Sequence, residues 1–186
     1  MKRLVLLLII VAVGLGVYSF IKYEERPILY LNVASINVEY GEKLDVNFSD
    51  FIDTTVLNDE DAKDVIENTK ITFDSIIEED DILEIGKYPV LYEYSKGDKK
   101  ESKTVMIVVA DTLAPEFNDV SVLQTQVGKS LDYKSYIEVT DYSGVDSLRF
   151  YAQDVEIDRS GEYELLAIAK DNNGNISEKT ITIIVK

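Results

Sequence analysis

The chain has 186 residues and a formal net charge of −16, and it contains no Cys, His or Trp. Without Cys and His, thiolate and imidazole metal sites are excluded, as is catalysis by Ser-His-Asp or Cys-His groups. A chain this acidic lacks the Lys/Arg face that nucleic acid requires, so nucleic acid is not an expected partner. No disulfide can form, and stability must therefore come from apolar cores.

An uncharged run extends from Leu4 to Ile21, directly after the basic residues Lys2 and Arg3. Its length is close to the about 20 residues of a transmembrane helix and exceeds the about 7 to 15 of a signal-peptide core. Residues 1–26 are therefore predicted to be a signal-anchor or transmembrane segment with its linker, crossing the membrane at 4–21. The basic start predicts a cytoplasmic N-terminus and extracellular C-terminal domains. The alternative, cleavage of this segment, would give a secreted protein.

Residues 27–110 are predicted to form a β-rich domain, because short runs alternate between apolar and polar residues. The predicted strands lie at 36–40, 44–48, 71–74, 88–94 and 104–109. The segment 58–69 breaks this pattern. It has an Asn, an acidic first turn and spaced apolar residues, which predict a short helix inserted in the domain. The acidic stretch 78–81 is predicted to be a solvated loop.

A short segment, 111–115, is predicted to separate two domains of one fold. It contains a proline, which lacks an amide donor and interrupts strand pairing. Landmarks before this segment recur after it: Gly41 corresponds to Gly128, and Gly86 corresponds to Gly161. The first copy carries about a dozen extra residues between these landmarks, which the segment 58–69 accounts for.

The last stretch, 161–186, predicts a hairpin, because two β-rich runs flank an Asn/Gly cluster. Leu165 and Ala167 share one face of the first run, and Ile181 and Ile183 share one face of the second. A single sheet of this kind would leave its apolar face in water. The alternation therefore predicts two sheets packed face to face in each copy, an all-β fold.

Three motifs occur here in a fixed order: Asp-Thr-Leu-Ala-Pro at 111–115, Gly161-x-Tyr163, and Asp171-x-x-Gly174-Asn175. They resemble the opening and closing motifs of immunoglobulin-like repeats found on surface proteins of mainly Gram-positive bacteria. Residues 27–110 fit less well, since Lys96 stands where Asp171 does. The resemblance implies two tandem immunoglobulin-like β-sandwiches, 27–110 and 111–186, acting as a structural spacer or as a protein-interaction or adhesion module. It implies no particular ligand, because this fold hosts many functions.

Asp111, Asp141 and Asp171 are candidate metal ligands, because they fall in loops or linkers near the predicted domain ends and Asn173 follows the last of them. Ca²⁺ takes about six to eight oxygen ligands, which such loops supply. The alternative is that Asp and Asn hydrogen-bond the backbone of their own turns. The turn interpretation is favoured because no EF-hand spacing is present, so no cofactor is expected.

The twelve tyrosines divide into two groups. Those at strand period are predicted to lie in the core: Tyr88, Tyr92, Tyr94 and Tyr163. Less regularly placed ones form either an exposed binding patch or core and rim contacts, and packing is favoured: Tyr133, Tyr136, Tyr142 and Tyr151. Adjacent acidic residues at 78–81 do not predict a glycosidase pair, which must face across a cleft. No catalytic residue, enzyme activity or small-molecule substrate is predicted.

Two functions therefore stay open. The first is a membrane-anchored structural or interaction protein whose partner is another protein or a cell-envelope component. The second is a carbohydrate-binding module assisted by calcium, using loop tyrosines and Asp/Asn side chains. Exposed tyrosines beside an oxygen-rich loop would favour the second function. Buried tyrosines, and loops whose polar groups satisfy one another, would favour the first.

Overall fold

The computed structural model describes residues 26–73 and 82–186. These residues divide into two compact units. The first unit holds 26–36, 46–73 and 88–106, and the second holds 37–45, 82–87 and 107–186. The division into two sequential domains at 111–115 stays a prediction.

Two sequence predictions lie outside the described residues: the membrane segment at 4–21 and the acidic loop at 78–81. Within 26–73 and 82–186, no helix combines the length and apolar character needed to cross a membrane.

Four strands form the first sheet, and one α-helix precedes its edge strand. The strands are β1 (Ser35–Glu39), β2 (Thr69–Phe73), β3 (Gly86–Lys96) and β4 (Lys99–Ala110), in the order β1-β4-β3-β2. Helix α1 (Asp59–Asn68) confirms the helix predicted at 58–69. The Asn58 side chain caps it by accepting a hydrogen bond from the Asp61 amide at 2.9 Å. The acidic first turn complements the positive end of the helix dipole.

Two tyrosines of β3 anchor the first unit, as their strand period predicts. Tyr92 and Tyr94 are buried. The Tyr92 hydroxyl donates to the Phe48 carbonyl oxygen at 2.8 Å, and the Tyr94 hydroxyl donates to Asp64 of α1 at 2.7 Å. Burial raises the pKa of Tyr92 to about 12, and burial with the Asp64 carboxylate raises the pKa of Tyr94 to about 12. Tyr88 is half-buried.

The strand predicted at 44–48 is wrong. Residues 44–47 form no regular element, and Phe48–Phe51 is a 3-10 helix. Its cap is Asn47, whose side-chain oxygen accepts from the Ser49 amide and hydroxyl. This local bond competes with strand pairing for the backbone donors. The Phe48 ring packs against Phe73 with centroids 4.5 Å apart, so Phe48 is apolar because of this ring contact and not because it lies in a strand.

Six further strands lie in the second unit. They are β5 (Glu116–Phe117), β6 (Val122–Thr125), β7 (Val139–Thr140), β8 (Val145–Tyr151), β9 (Gly161–Asp171) and β10 (Ile176–Val185). The order β6-β10-β9-β8 makes a four-stranded sheet, and β5 pairs with β7. Strands β9 and β10 form the predicted hairpin, with β6 parallel to β10. A 3-10 helix, Tyr133–Ser135, precedes β7.

The core of the second unit lies on one face of its four-stranded sheet. Its buried members are Leu123, Ile137, Leu165, Ala167, Ile181, Ile183 and Val185. Phe117 of β5 packs against this cluster, so the two-stranded sheet and the four-stranded sheet share one core. This arrangement is a β-sandwich. It confirms the predicted all-β character here, while the tandem immunoglobulin-like arrangement stays a prediction.

Candidate functional site

Three carboxylates that are distant in sequence come together in the second unit. Asp111 directly follows β4, Asp141 directly follows β7, and Asp171 ends β9. One carboxylate oxygen from each lies within 4.8 Å of the others. The fold therefore gathers three of the four residues that the sequence singled out into one carboxylate cluster (Asp111, Asp141 and Asp171).

Asp171 is the buried member of the carboxylate cluster, with 1% of its surface exposed. Its Oδ1 accepts from the backbone amides of Asn173 and Asn175, both at 2.8 Å, and from that of Gly174. The Asn175 side chain donates to Oδ2 at 2.8 Å. Burial alone would raise the pKa of Asp171, but the hydrogen bonds from Asn175 and these backbone amides outweigh it and lower the pKa.

Polar neighbours also hold the other two carboxylates. The Asp141 Oδ1 accepts from the Ser143 amide at 2.8 Å and from its hydroxyl at 2.7 Å. The Asp111 Oδ2 accepts from the Asn173 side chain at 2.7 Å, which brings the fourth predicted residue into the site. Among residues 26–73 and 82–186, none of the ion pairs includes a member of the carboxylate cluster. The side-chain hydrogen bonds to turn backbone that the sequence predicts for these loops are therefore present.

The carboxylate cluster also has the spacing that a divalent cation requires. Ligands of one Ca²⁺ lie about 2.3–2.6 Å from it, so two of them are at most about 5 Å apart. The 4.8 Å limit among the three carboxylate oxygens meets this condition. Carboxylate and amide oxygens are the hard donors that Ca²⁺ prefers. Asp111, Asp141, Asp171 and Asn173 would hold such an ion, so calcium binding stays open as the alternative to the favoured turn interpretation.

An aromatic contact lies directly beside the carboxylate cluster. Tyr142 follows Asp141, and its ring meets Tyr40 edge to face with centroids 5.1 Å apart. Gly41 has φ +95° and lies against the same ring, where a Cβ would approach the ring carbons to 2.6 Å. Only glycine tolerates both this backbone conformation and this approach.

Glu39 accepts hydrogen bonds from the residues that follow Asp111 of the carboxylate cluster. Its carboxylate accepts from the Thr112 amide at 2.7 Å and from the Thr112 hydroxyl at 2.6 Å. Burial would raise the pKa of Glu39, but hydrogen bonds from Thr112, Leu113 and Asp111 lower it. Thr112 and Tyr142 each adjoin a cluster aspartate, so the segment 39–41 is joined to the cluster through both.

The irregularly placed tyrosines do not share one environment. Tyr133 packs against the core and against Phe150 at 5.6 Å, as the packing interpretation predicts. Tyr136, Tyr142 and Tyr151 are exposed, and Tyr142 makes a rim contact through the Tyr40 ring. Tyr142 is 62% exposed and stands beside the carboxylate cluster, which the sequence named as a sign of carbohydrate binding.

A second candidate surface is the outer face of the four-stranded sheet, opposite the core. Pairing aligns Tyr151, Leu166 and Thr180 in one row across β8, β9 and β10. Ile168 lies in the next row on β9, and Val122 lies on β6 with 48% of its surface exposed. The sequence singled out only Tyr151 in this group. The sequence signal for this face is that β9 has apolar residues at successive positions, so that they point to both faces of the sheet.

A small cavity of about 230 Å³ lies in the first unit. Its polar lining comes from Arg26, Tyr30, Asn58, Asp61 and Lys99. This lining contains one carboxylate, whereas glycoside hydrolysis needs two that face each other. The cavity therefore does not supply the acid pair that an enzyme interpretation would require.

No known family model matches the chain. The chain is similar to the pesticidal crystal protein Cry22Aa of Bacillus thuringiensis, with 28% identity over 129 residues that cover 67% of the chain. The chain spans 17% of the length of that relative.

Two solved structures can be superposed on most of this chain. Fibronectin(III)-like modules of Clostridium thermocellum CbhA are 14% identical, with 83% of this chain and 91% of theirs covered and a TM-score of 0.31. Extracellular cadherin domains 1–5 of protocadherin gamma B2 are 13% identical, with 87% and 40% covered and a TM-score of 0.31. Scores this low carry no argument about the function of the chain.

Proposed function

We propose that the chain is a membrane-anchored extracellular protein of a bacterial, Gram-positive surface that binds another protein or an envelope component through its β-sandwiches. The observation that carries this proposal is the outer face of the second unit. When one face of an antiparallel sheet is exposed to solvent, that face normally carries polar residues. Leu166 and Ile168 are partly exposed on that face, and Tyr151 is 42% exposed. Contiguous exposed apolar surface marks an interaction site.

The sequence supports the proposed location. The uncharged run at 4–21 supports an anchor, and the motifs at 111–115 and 171–175 resemble those of bacterial surface repeats. The acidic balance of the chain supports solubility outside the membrane and weak binding to anionic polymers.

Photocrosslinking in the producing cells tests this function. A photoreactive amino acid replaces Leu166 on the outer face, and in a matched control it replaces Ser130, which is exposed in the loop after β6. We expect a covalent adduct from position 166 and none from position 130. Protease added to intact cells should digest the chain after residue 26. Equal adducts at both positions, or no adduct at 166, would contradict the proposal.

Carbohydrate binding assisted by calcium is the second candidate function. The observation that favours it is the exposed Tyr142 beside Asp141 of the carboxylate cluster. Retention on envelope polysaccharides, measured with Ca²⁺ and with chelator, tests it. This function predicts retention with Ca²⁺ only, lost in Tyr142→Ala and kept in Tyr151→Ala. Equal retention with Ca²⁺ and with chelator, and in Tyr142→Ala, would exclude this function.

A further inference from the structure

The outer face of the second unit has an ordered distribution of charge. Along β9 the outward positions are Glu162, Glu164, Leu166, Ile168 and Lys170. The residues between them, such as Leu165 and Ala167, are buried in the core. Along β9 the face therefore has an acidic end, an apolar centre and a basic end.

Neighbouring strands extend this pattern. Ile168 lies between Arg149 of β8 and the exposed Glu178 of β10, so this row adds one cation and one anion toward the Lys170 end. On β10, Ile184 lies beside Glu162 and Ile176 lies beside Lys170. Ile176 is 56% exposed. Each charged end thus has an apolar neighbour, and the row that contains Leu166 lies midway between the ends.

We infer that this face binds the same face of a second copy of the chain, with the strands of the two copies antiparallel. A twofold axis that lies in the interface and runs along the row of Leu166, perpendicular to the strands, reverses the order of residues along β9. Glu162 of one copy then lies over Lys170 of the other, and Ile184 lies over Ile176. The two Leu166 side chains meet at the centre. The inference rests on the proposed function, because it names the partner of that interaction surface.

Charge selects this orientation. A twofold axis parallel to the strands would leave each row facing itself. It would bring Glu162 and Glu164 of the two copies to the same end, and both Lys170 side chains to the other. Only Arg149 would then face an opposite charge, that of Glu178 in the same row. Like charges placed together oppose association, whereas opposite charges fix the register of an interface. The antiparallel orientation is the one that pairs opposite charges at both ends.

The size of the face predicts weak association. Strands are about 4.8 Å apart and rise about 3.4 Å per residue. Over the span 162–170, β9 and β10 are complete while β6 and β8 each cover about half, so the face measures roughly 400 Å² per copy. About 800 Å² in total is below the about 1,000 Å² of a stable specific interface, so the pair is a weak one. The net charge of −16 opposes pairing, but charges more than about 8 Å apart are largely screened at physiological salt. Anchoring in one membrane raises the local concentration and favours a weak pair.

Single-cysteine crosslinking of the full-length chain in detergent tests the pairing. The chain has no Cys, so Thr180→Cys supplies one thiol, in the same row as Leu166. Ser130→Cys is the matched control, since Ser130 is also exposed and lies off this face. We expect a short bismaleimide to give crosslinked dimers of Thr180→Cys and few of Ser130→Cys. Equal crosslinking of the two variants would overturn the inference.

Charge reversal in the Thr180→Cys background tests the orientation. Lys170→Glu should lower the crosslinked fraction about fivefold, because both end pairs become repulsive. Adding Glu162→Lys to the same chain should restore it. The two positions are about 27 Å apart within one copy, so recovery requires pairing between copies. No loss in the single variant, or no recovery in the double variant, would overturn the inference.

The photocrosslinking experiment separates the two ideas. A Leu166 adduct with a different protein, together with no Thr180→Cys dimer, would overturn self-pairing and keep the interaction function. An adduct with the mass of two copies supports both. No adduct at all would remove both the interaction surface and its assigned partner.

Discussion

Replacement of Gly41 by alanine is the sharpest test of how the segment 39–41 packs beside the carboxylate cluster. The added Cβ meets two obstacles. The backbone at Gly41 has φ +95°, and the ring of Tyr142 lies 2.6 Å from the Cβ position. Gly128 is a matched control, because it has φ +78° but no atom within 4 Å of its Cβ position. Gly128→Ala therefore measures backbone strain alone.

The two contributions have different sizes. An L-residue in the left-handed region costs about 1–2 kcal/mol of folding free energy, and overpacking adds about 1–3 kcal/mol. Gly41→Ala should therefore cost about 2–5 kcal/mol and Gly128→Ala about 1–2 kcal/mol. In a chain of this length each kcal/mol lowers the Tm by about 2–4 °C. We expect Gly41→Ala to lower the Tm by roughly 5–15 °C, and Gly128→Ala by clearly less.

Thermal unfolding followed by circular dichroism gives these values, and Tyr142→Ala isolates the clash. In that background Gly41→Ala should cost no more than Gly128→Ala does, because the ring is gone. Equal Tm losses for Gly41→Ala and Gly128→Ala in the unmodified background would refute the packing of Tyr142 on Gly41.

Three further predictions concern binding and titration. Under the calcium alternative, Ca²⁺ at about 100 times its Kd stabilises the chain by about 2.7 kcal/mol and Asp141→Asn abolishes the Tm shift. The turn interpretation instead predicts superimposable melts with Ca²⁺ and with chelator, which would exclude the metal site. Because the pKa of Asp171 is lowered in the folded state, its ionised carboxylate stabilises the fold at pH values above about 3.9, the ordinary pKa of Asp. This stability is lost as the pH falls through the folded-state pKa. Between pH 6 and pH 2, the Tm should therefore fall less in Asp171→Asn than in the unmodified chain. The pKa of Tyr92, raised to about 12, stabilises the fold below about pH 10, and this stability is lost as pH rises toward 12. Tyr92→Phe should cost about 1 kcal/mol at pH 7 and unfold less steeply in alkali; an unchanged Tm would contradict the hydrogen bond to Phe48.

Local signals in the sequence were enough for several elements. The hairpin of β9 and β10 follows from alternation around the turn, and Asn58 with the acidic residues after it was enough to predict α1. The same kind of reasoning failed at 44–48. There a side-chain cap at Asn47 and a ring contact of Phe48 determine the local structure. Neither interaction is visible as a periodic pattern.

The candidate sites depended more on tertiary structure. Asp111, Asp141 and Asp171 were identifiable as loop residues, but only strand pairing brings their oxygens within 4.8 Å. The outer face was harder to find, because Leu165 and Leu166 are adjacent and equally apolar. Register assigns the first to the core and the second to the exposed side. The role of Gly41 required knowing where Tyr142 lies.

Side-chain footprinting with hydroxyl radicals tests the central claim most directly, by comparing the chain in the envelope of its own cells with the purified chain at low concentration. The interaction account predicts reduced oxidation of Tyr151 and Leu166 on the outer face in the envelope, with Tyr142 unchanged. Protection of Tyr142 with Tyr151 and Leu166 unchanged would contradict it and would move the binding site to the carboxylate cluster.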